Sequence, residues 1–105
     1  MPYFIYQLRL TPPYRVESNW TDETREIIAK HFNHLKKSCE KGKVLLAGRS
    51  DLSIEDTDNF GICIFEADSP EEARNFMNSD PTLIHGIMTA RVFPFSLAML
   101  KNSTD

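Results

Sequence analysis

The chain has 105 residues, of which 41% are hydrophobic, and its formal net charge is -3. This length predicts a single domain over residues 1–105 with a core of modest size. The acidic balance argues against a nucleic-acid partner, and the chain lacks the run of about 18 apolar residues that a membrane span needs. The N-terminal segment does not have the pattern of a signal peptide. We therefore interpret Cys39 and Cys63 as reduced core thiols of a cytoplasmic protein.

Four segments have the composition of β-strands. Residues 3–10 are dense in aromatic and β-branched side chains. Residues 44–48 form a continuous apolar run, which predicts a strand covered on both faces. Residues 60–66 are largely apolar on both faces, so this strand should be central in its sheet, and residues 88–93 form the fourth strand.

A first helix is predicted after a proline-containing loop. Thr21 is a suitable N-cap, and Gly42 is a typical helix stop. The apolar residues that recur at helical spacing, and that predict a stripe facing the core, are Ile28, Phe32, Leu35 and Cys39. The lysines between residues 36 and 43 are interpreted as a solvated helix face.

The second helix carries the strongest local signal in the chain. Ser69 can cap it, Pro70 suits its first position, and Glu72 completes a capping box. Asp80 precedes Pro81 and is pushed out of helical geometry, so the helix should end before this pair.

The order of elements is β-α-β-β-α-β, the arrangement of ferredoxin-like α+β domains. It predicts a four-stranded antiparallel sheet with both helices on one face. The opposite face mixes apolar and polar side chains and is too apolar for open water, so we expect a second copy to cover it as a homodimer. The alternative is a monomer with a half-solvated sheet. After the last strand, residues 94–100 have no predicted conformation, and residues 101–105 should be frayed.

Several short motifs follow one another in a fixed order between residues 3 and 95. They are His31-x-x-x-Leu35, Gly42, residues 45–48, residues 66–73, Asp80-Pro81, Gly86 and residues 92–95. Together they resemble the YciI-like (YCII-related) family. The resemblance implies a dimeric α+β barrel, in which two sheets pack face to face, and an active-site cleft that holds His31 and Asp80. The chain departs from the family pattern at Arg49, where proline is usual, and at Thr82, where an aromatic residue is usual.

His31 is the principal candidate for a catalytic group. It lies on the flank of the predicted core-facing stripe, whereas His34 lies farther toward solvent. A carboxylate such as Asp80 could bond one ring nitrogen, fix the tautomer and leave the other nitrogen as a base. We expect the imidazole to face the hollow between the two sheets of the dimer. The alternative is a boundary histidine that is satisfied by a backbone carbonyl.

Three arginines are candidates for ligand binding. Arg9 and Arg91 lie on neighbouring strands and on the same mixed face, where they could bind an anionic ligand or, as we prefer, pair with acidic residues of the partner chain. Arg49 is the third candidate, and the ligand would be a small anionic or aromatic molecule. A metal shared by His31 and His34 is rejected because no further ligand completes a recognisable spacing.

Two classes of function remain open. The first is an enzyme without metal or organic cofactor, of the lyase or isomerase type, in which His31 acts as general base or acid and Asp80 orients it. Isomerisation, elimination or proton transfer would each need one well-placed base. The second is a non-catalytic dimeric module that binds a small ligand or has a structural role. The His31→Ala substitution distinguishes them, because it abolishes turnover only in the enzyme.

Overall fold

The computed structural model describes residues 2–101 and confirms the predicted order of elements, with one added short helix. The elements are β1 (Tyr3–Leu10), α1 (Asp22–Glu40), β2 (Val44–Arg49), β3 (Gly61–Glu66), α2 (Pro70–Asn78), α3 (Pro81–Ile84) and β4 (Met88–Phe95). Two 3₁₀ turns, Pro12–Arg15 and Glu17–Asn19, connect β1 to α1. Of the end that we expected to be frayed, residues 102–105 lie outside the described residues.

The four strands form one antiparallel sheet in the order β2-β3-β1-β4. This is the predicted ferredoxin-like α+β fold, and β3 is an inner strand as expected. The prediction that β2 is covered on both faces is wrong for the chain by itself. β2 is an edge strand, and Leu46 in it is 39% exposed. An apolar run of strand length does not by itself distinguish a strand buried within a sheet from one at its edge.

Local sequence signals set the helix boundaries. The Thr21 hydroxyl accepts a hydrogen bond from the Thr24 backbone N–H, and the two residues form a capping box at the start of α1. Gly42 ends the helix with φ 84°, a conformation that side chains with a Cβ rarely adopt. Ser69 caps α2 as predicted. The carboxylate of Glu72 accepts instead from the Asp68 backbone N–H, one residue before the cap.

The core lies between the helices and one face of the sheet. β1 alternates strictly, so that its even-numbered residues from Phe4 to Leu10 are buried and its odd-numbered ones are half-buried. The Tyr6 ring packs edge-on against Phe65 with ring centroids 5.7 Å apart. Ala73 and Met77 of α2 cover this layer.

Within residues 2–101, no helix lies over the opposite face of the sheet. One row of apolar side chains crosses all four strands in register, and we call it the apolar row: Leu46, Ile64, Ile5 and Phe93. The Arg91 guanidinium lies 5.1 Å from the centre of the Phe93 ring. No helix within residues 2–101 is long and apolar enough to cross a membrane.

The buried side of α1 differs from the predicted one. The buried residues are Thr24, Ile27, His31 and Leu35. Phe32 is 62% exposed and Cys39 is exposed, so the prediction of both as core residues is wrong. His31 therefore lies within the buried stripe instead of on its flank.

Candidate functional site

A buried carboxylate organises the interior beneath α1. Asp80 has an exposed fraction of 0% and caps α3, where its side chain accepts from the Thr82 backbone N–H. The Tyr6 hydroxyl donates to Oδ2 at 2.8 Å, and the Thr82 hydroxyl donates to Oδ1 at 2.7 Å. His31 Nδ1 lies 2.8 Å from Oδ1 and 2.9 Å from Oδ2. Every donor comes from the chain itself, and the contacts join β1, α1 and α3.

Opposing effects act on the pKa of Asp80. Burial raises this pKa. The hydrogen bond and the charge interaction with His31, together with the donors of Thr82, lower it by a larger amount, so the net shift is downward. Burial and the neighbouring Cys63 and Asp80 raise the pKa of Tyr6, so its hydroxyl remains a donor. The carboxylate is therefore ionised and only accepts hydrogen bonds.

The hydrogen-bond pattern assigns the tautomer of His31. An ionised carboxylate accepts hydrogen bonds and donates none, so Nδ1 carries the proton toward Asp80. Every buried side-chain nitrogen or oxygen atom of the described residues has a hydrogen-bond partner. Nε2 has no partner among these residues, so it is not one of the buried atoms. Nε2 is thus accessible rather than enclosed, and His31 lines the neighbouring cleft.

The cleft has a volume of about 540 Å³ and lies between α1, the ends of β2 and β3, and the loop that joins these strands. Such a volume is within the usual range for sites of small molecules. Ile28, Phe32 and Cys39 line it, which explains why the sequence shows an apolar stripe where the helix is not buried. The cleft opens on the helix-covered side of the sheet. The expectation that the imidazole faces a hollow between two sheets is therefore wrong.

The comparisons with known proteins agree with this architecture. The family model of the YCII-related domain matches residues 7–96. The chain belongs to the YCII-related domain family.

Among solved structures, this YCII-related domain is similar to 5-chloro-2-hydroxyhydroquinone dehydrochlorinase (TftG) from Burkholderia phenoliruptrix AC1100, in a complex with 2,5-dihydroxybenzoquinone. The sequence identity is 20%, the TM-score is 0.65, and the match covers 93% of this chain and 96% of the other. At this identity the similarity establishes a shared fold only. No protein of curated function matches the sequence.

The predicted site residues of this YCII-related domain fall into two groups. His31 and Asp80 are in direct contact, and Arg49 lines the same cleft. Arg9 and Arg91 lie on the other face of the sheet and do not line it. Arg9 Nη1 donates to the backbone carbonyl of Thr57 at 3.2 Å and so holds the loop between β2 and β3.

The remaining histidines stand apart from the cleft. His34 is half-buried, and its ring lies against Phe76 with centroids 5.6 Å apart, so the prediction of a solvated residue is wrong. His85 is exposed at the end of α3. Within residues 2–101, no group of three or more His, Cys, Asp or Glu side chains is arranged to hold a metal ion.

Three residues of the site were missed from the sequence. Tyr6 lies on the apolar face of β1, and a hydroxyl buried there needs a partner, which was the available signal. Thr82 was noted only as a departure from the family, although its hydroxyl completes the bonding of Asp80. Lys36, interpreted as part of a solvated face, is exposed but also lines the cleft.

Proposed function

We propose that this YCII-related protein is a small-molecule enzyme in which His31 transfers protons as general base or general acid. The observation that supports the proposal is that the imidazole both contacts a buried carboxylate and lines a cleft. Nδ1 is held by the buried Asp80 carboxylate at 2.8 Å, and the ring lines a cleft large enough for a small molecule. This arrangement is the general requirement for acid–base catalysis by histidine.

The chemistry follows from the assigned tautomer. Nε2 accepts a proton from the bound substrate, and the Asp80 carboxylate stabilises the imidazolium that forms. The same proton returns to another substrate atom in an isomerisation, or leaves to solvent after an elimination. The proposed reaction uses a protein base alone, with no metal ion or organic cofactor. The substrate would be a small polar or aromatic compound.

The structural neighbour supports an elimination within this range. TftG is described as a dehydrochlorinase and was solved with a quinone ring compound. Loss of HCl from a substrate requires a base for the proton and a path for the chloride ion, and His31 can supply the base. 5-Chloro-2-hydroxyhydroquinone is therefore the first compound to assay, followed by other small hydroxylated rings.

The test is turnover by wild-type protein and by matched histidine variants. Chloride release and the absorbance of the product are followed with each compound. We expect His31→Ala to lower kcat by about 10²–10⁴-fold, the usual contribution of a positioned proton-transfer group. His34→Ala, one turn along α1, is the control and should retain activity. Equal activity of wild type and His31→Ala would refute the proposal.

Asp80→Asn provides a second measurement that does not depend on the substrate. An asparagine amide can donate a hydrogen bond to Nδ1, so the ring can adopt the other tautomer, with the proton on Nε2. We expect the ¹⁵N chemical shifts of the His31 ring to show a protonated Nδ1 in wild type and a changed proton distribution in Asp80→Asn. An unchanged pattern would contradict the role of Asp80. A cleft that binds compounds and never converts them would favour the non-catalytic binding module.

We also propose that two copies form a homodimer through the uncovered sheet face. The apolar row runs across all four strands, and its two end residues, Leu46 and Phe93, are 39% and 40% exposed, whereas Ile64 between them is buried. An apolar strip of this kind is typical of a surface that another protein covers, and a second copy offers the same strip. Arg9 and Arg91 lie on this face, where the proposal assigns them to the contact between subunits.

A further inference from the structure

The charges around the cleft are distributed unevenly. The chain has 15 acidic and 12 basic residues, and its net charge is -3. Among the described residues, none of the side chains that line the cleft is acidic, whereas Lys36 and Arg49 both line it. The cleft is therefore a locally cationic region of an acidic protein, and such a region attracts anions.

Neither of these two cations has a carboxylate partner within residues 2–101, and among the other lysines and arginines of that range only Lys43 and Arg25 have one. Lys43 pairs with Glu72 at 3.0 Å, and Arg25 lies 3.9 Å from Asp22. The one hydrogen bond found for Arg49 runs from Nη1 to the backbone carbonyl of Ser50 at 3.4 Å. A guanidinium has five N–H donors in a fixed plane, so most of the donors of Arg49 remain available to a ligand.

The walls of the cleft are largely apolar and include aromatic rings. Trp20, Phe32 and Phe60 line it. The Trp20 indole is fixed because its Nε1 donates to the Tyr14 backbone carbonyl at 2.7 Å. Aromatic walls favour a flat ring, which gains contact area without losing many rotatable bonds. The Asp80 carboxylate does not line the cleft and lies behind the imidazole, where its hydrogen-bond donors stabilise its negative charge.

We infer that the cleft selects a flat ring compound that carries an anionic oxygen group, with the ring against the aromatic walls and the charge toward Arg49 and Lys36. The inference deepens the proposed function, because it takes the cleft beside His31 as the substrate site. A carboxylate and an ionised phenol or enol share this chemistry. Arg49 favours either group because its fork of donors matches a pair of oxygens or a delocalised oxygen anion.

Binding of three matched probes tests the inference without any assay of catalysis. The probes are 4-nitrobenzoate, 4-nitrobenzyl alcohol and 4-nitrobenzylammonium, which share a ring and differ in charge. Nitroaromatic rings quench indole fluorescence, and Trp20 is the only tryptophan of the chain. We expect the anion to bind about tenfold more tightly than the alcohol and the cation to bind most weakly. A fourth probe, 4-nitrophenol above its pKa, compares a phenolate with the carboxylate.

Substitutions identify the residues that recognise the charge. Arg49→Gln should weaken binding of 4-nitrobenzoate about tenfold and leave 4-nitrobenzyl alcohol within about twofold of wild type. Lys36→Gln should act in the same direction with a smaller effect, about threefold, because a single ammonium is a more strongly hydrated partner. Added salt should weaken binding of the anion only. Arg74→Gln and Lys37→Gln are the controls, since both side chains are exposed and neither lines the cleft.

Three results would overturn the inference. The alcohol or the ammonium compound could bind as tightly as the anion, Arg49→Gln could weaken all probes equally, or no probe could bind at millimolar concentration. Each of these concerns recognition alone. If the anion is preferred and His31→Ala nevertheless leaves turnover unchanged, the proposed function fails while the selection of anions stands.

Discussion

The two faces of the sheet satisfy their side chains in different ways. On the helix-covered face, the one buried carboxylate of the site has all its donors within the chain, since Tyr6, His31 and Thr82 surround Asp80. On the other face, the apolar row crosses the sheet, and no helix of the described residues covers it. The first face is complete in one chain, whereas the second has apolar surface that a partner could cover.

The cleft and the surface proposed for dimer contact therefore lie on different faces of the sheet, although the family resemblance places both in one barrel. The resemblance implied a cleft in a dimeric barrel, and we had expected His31 to face the hollow between the sheets. The structure puts His31 and its cleft on the helix side, away from the apolar row. The site and the proposed contact between two chains therefore use different surfaces, and we expect that each can be altered without the other.

Removal of the Asp80 carboxylate, on the helix-covered face, should have the largest effect on the stability of the chain. Asp80→Ala leaves the Tyr6 hydroxyl, the Thr82 hydroxyl and His31 Nδ1 without their acceptor in the interior. We expect the free energy of unfolding to fall by about 3–5 kcal/mol, which urea denaturation measures. Tyr6→Phe removes one of these bonds together with its donor and should cost only about 1 kcal/mol. A loss below that of Tyr6→Phe would mean that the carboxylate does not organise this face.

Much of the fold could be predicted because its signals are local. The Ser69-Pro70 start of α2 and the Gly42 stop of α1 depend on neighbouring residues only, and both were found. The contact of Tyr6 with Asp80 spans 74 residues, and no local pattern indicates which buried hydroxyl meets which carboxylate. His31 and Asp80 were paired through the family resemblance, whereas periodicity alone placed His31 on the flank of the buried stripe instead of within it.

The buried side of α1 was misjudged because two surfaces have the same period. Residues that line a cleft and residues that pack in a core are both apolar and both recur every third or fourth position. Phe32 and Cys39 line the cleft, and Ile27 packs in the core. The apolar pattern therefore led to a prediction that assigned the wall of the cleft to the core.

A charge in the apolar row should break the uncovered face and leave the site intact. Phe93→Lys puts an ammonium next to Arg91 and opposite Ile5. We expect wild type to sediment as a dimer and the variant as a monomer, with the free energy of association reduced by about 2–3 kcal/mol. Ala29→Lys adds the same charge on an exposed position of α1 and should leave the dimer unchanged. If the wild-type protein sediments as a monomer in dilute solution, the proposed homodimer is refuted.

Lowering the pH should destabilise the helix-covered face, because the Asp80 carboxylate becomes protonated. Its pKa is lower in the folded chain than in the unfolded one, where it is about 3.9. Its contribution to stability is therefore fully present above about pH 4 and is lost as the pH falls through the folded pKa. Urea denaturation between pH 6 and about pH 2 should show that the stability difference between wild type and Asp80→Asn narrows in this range. A stability difference that does not change with pH would show that the pKa of Asp80 is the same in the folded and the unfolded chain.

The smallest expected effect on stability is that of Phe32→Ala, and it decides whether the apolar stripe of α1 is a wall or a core. Phe32 is 62% exposed, so its truncation should change the free energy of unfolding by about 0.5 kcal/mol or less. The same truncation at the fully buried Phe65 should cost about 3–5 kcal/mol. Binding of 4-nitrobenzoate should nevertheless weaken about threefold to tenfold in Phe32→Ala, because the cleft loses an aromatic wall. A large loss of stability with unchanged binding would return Phe32 to the core that its spacing first indicated.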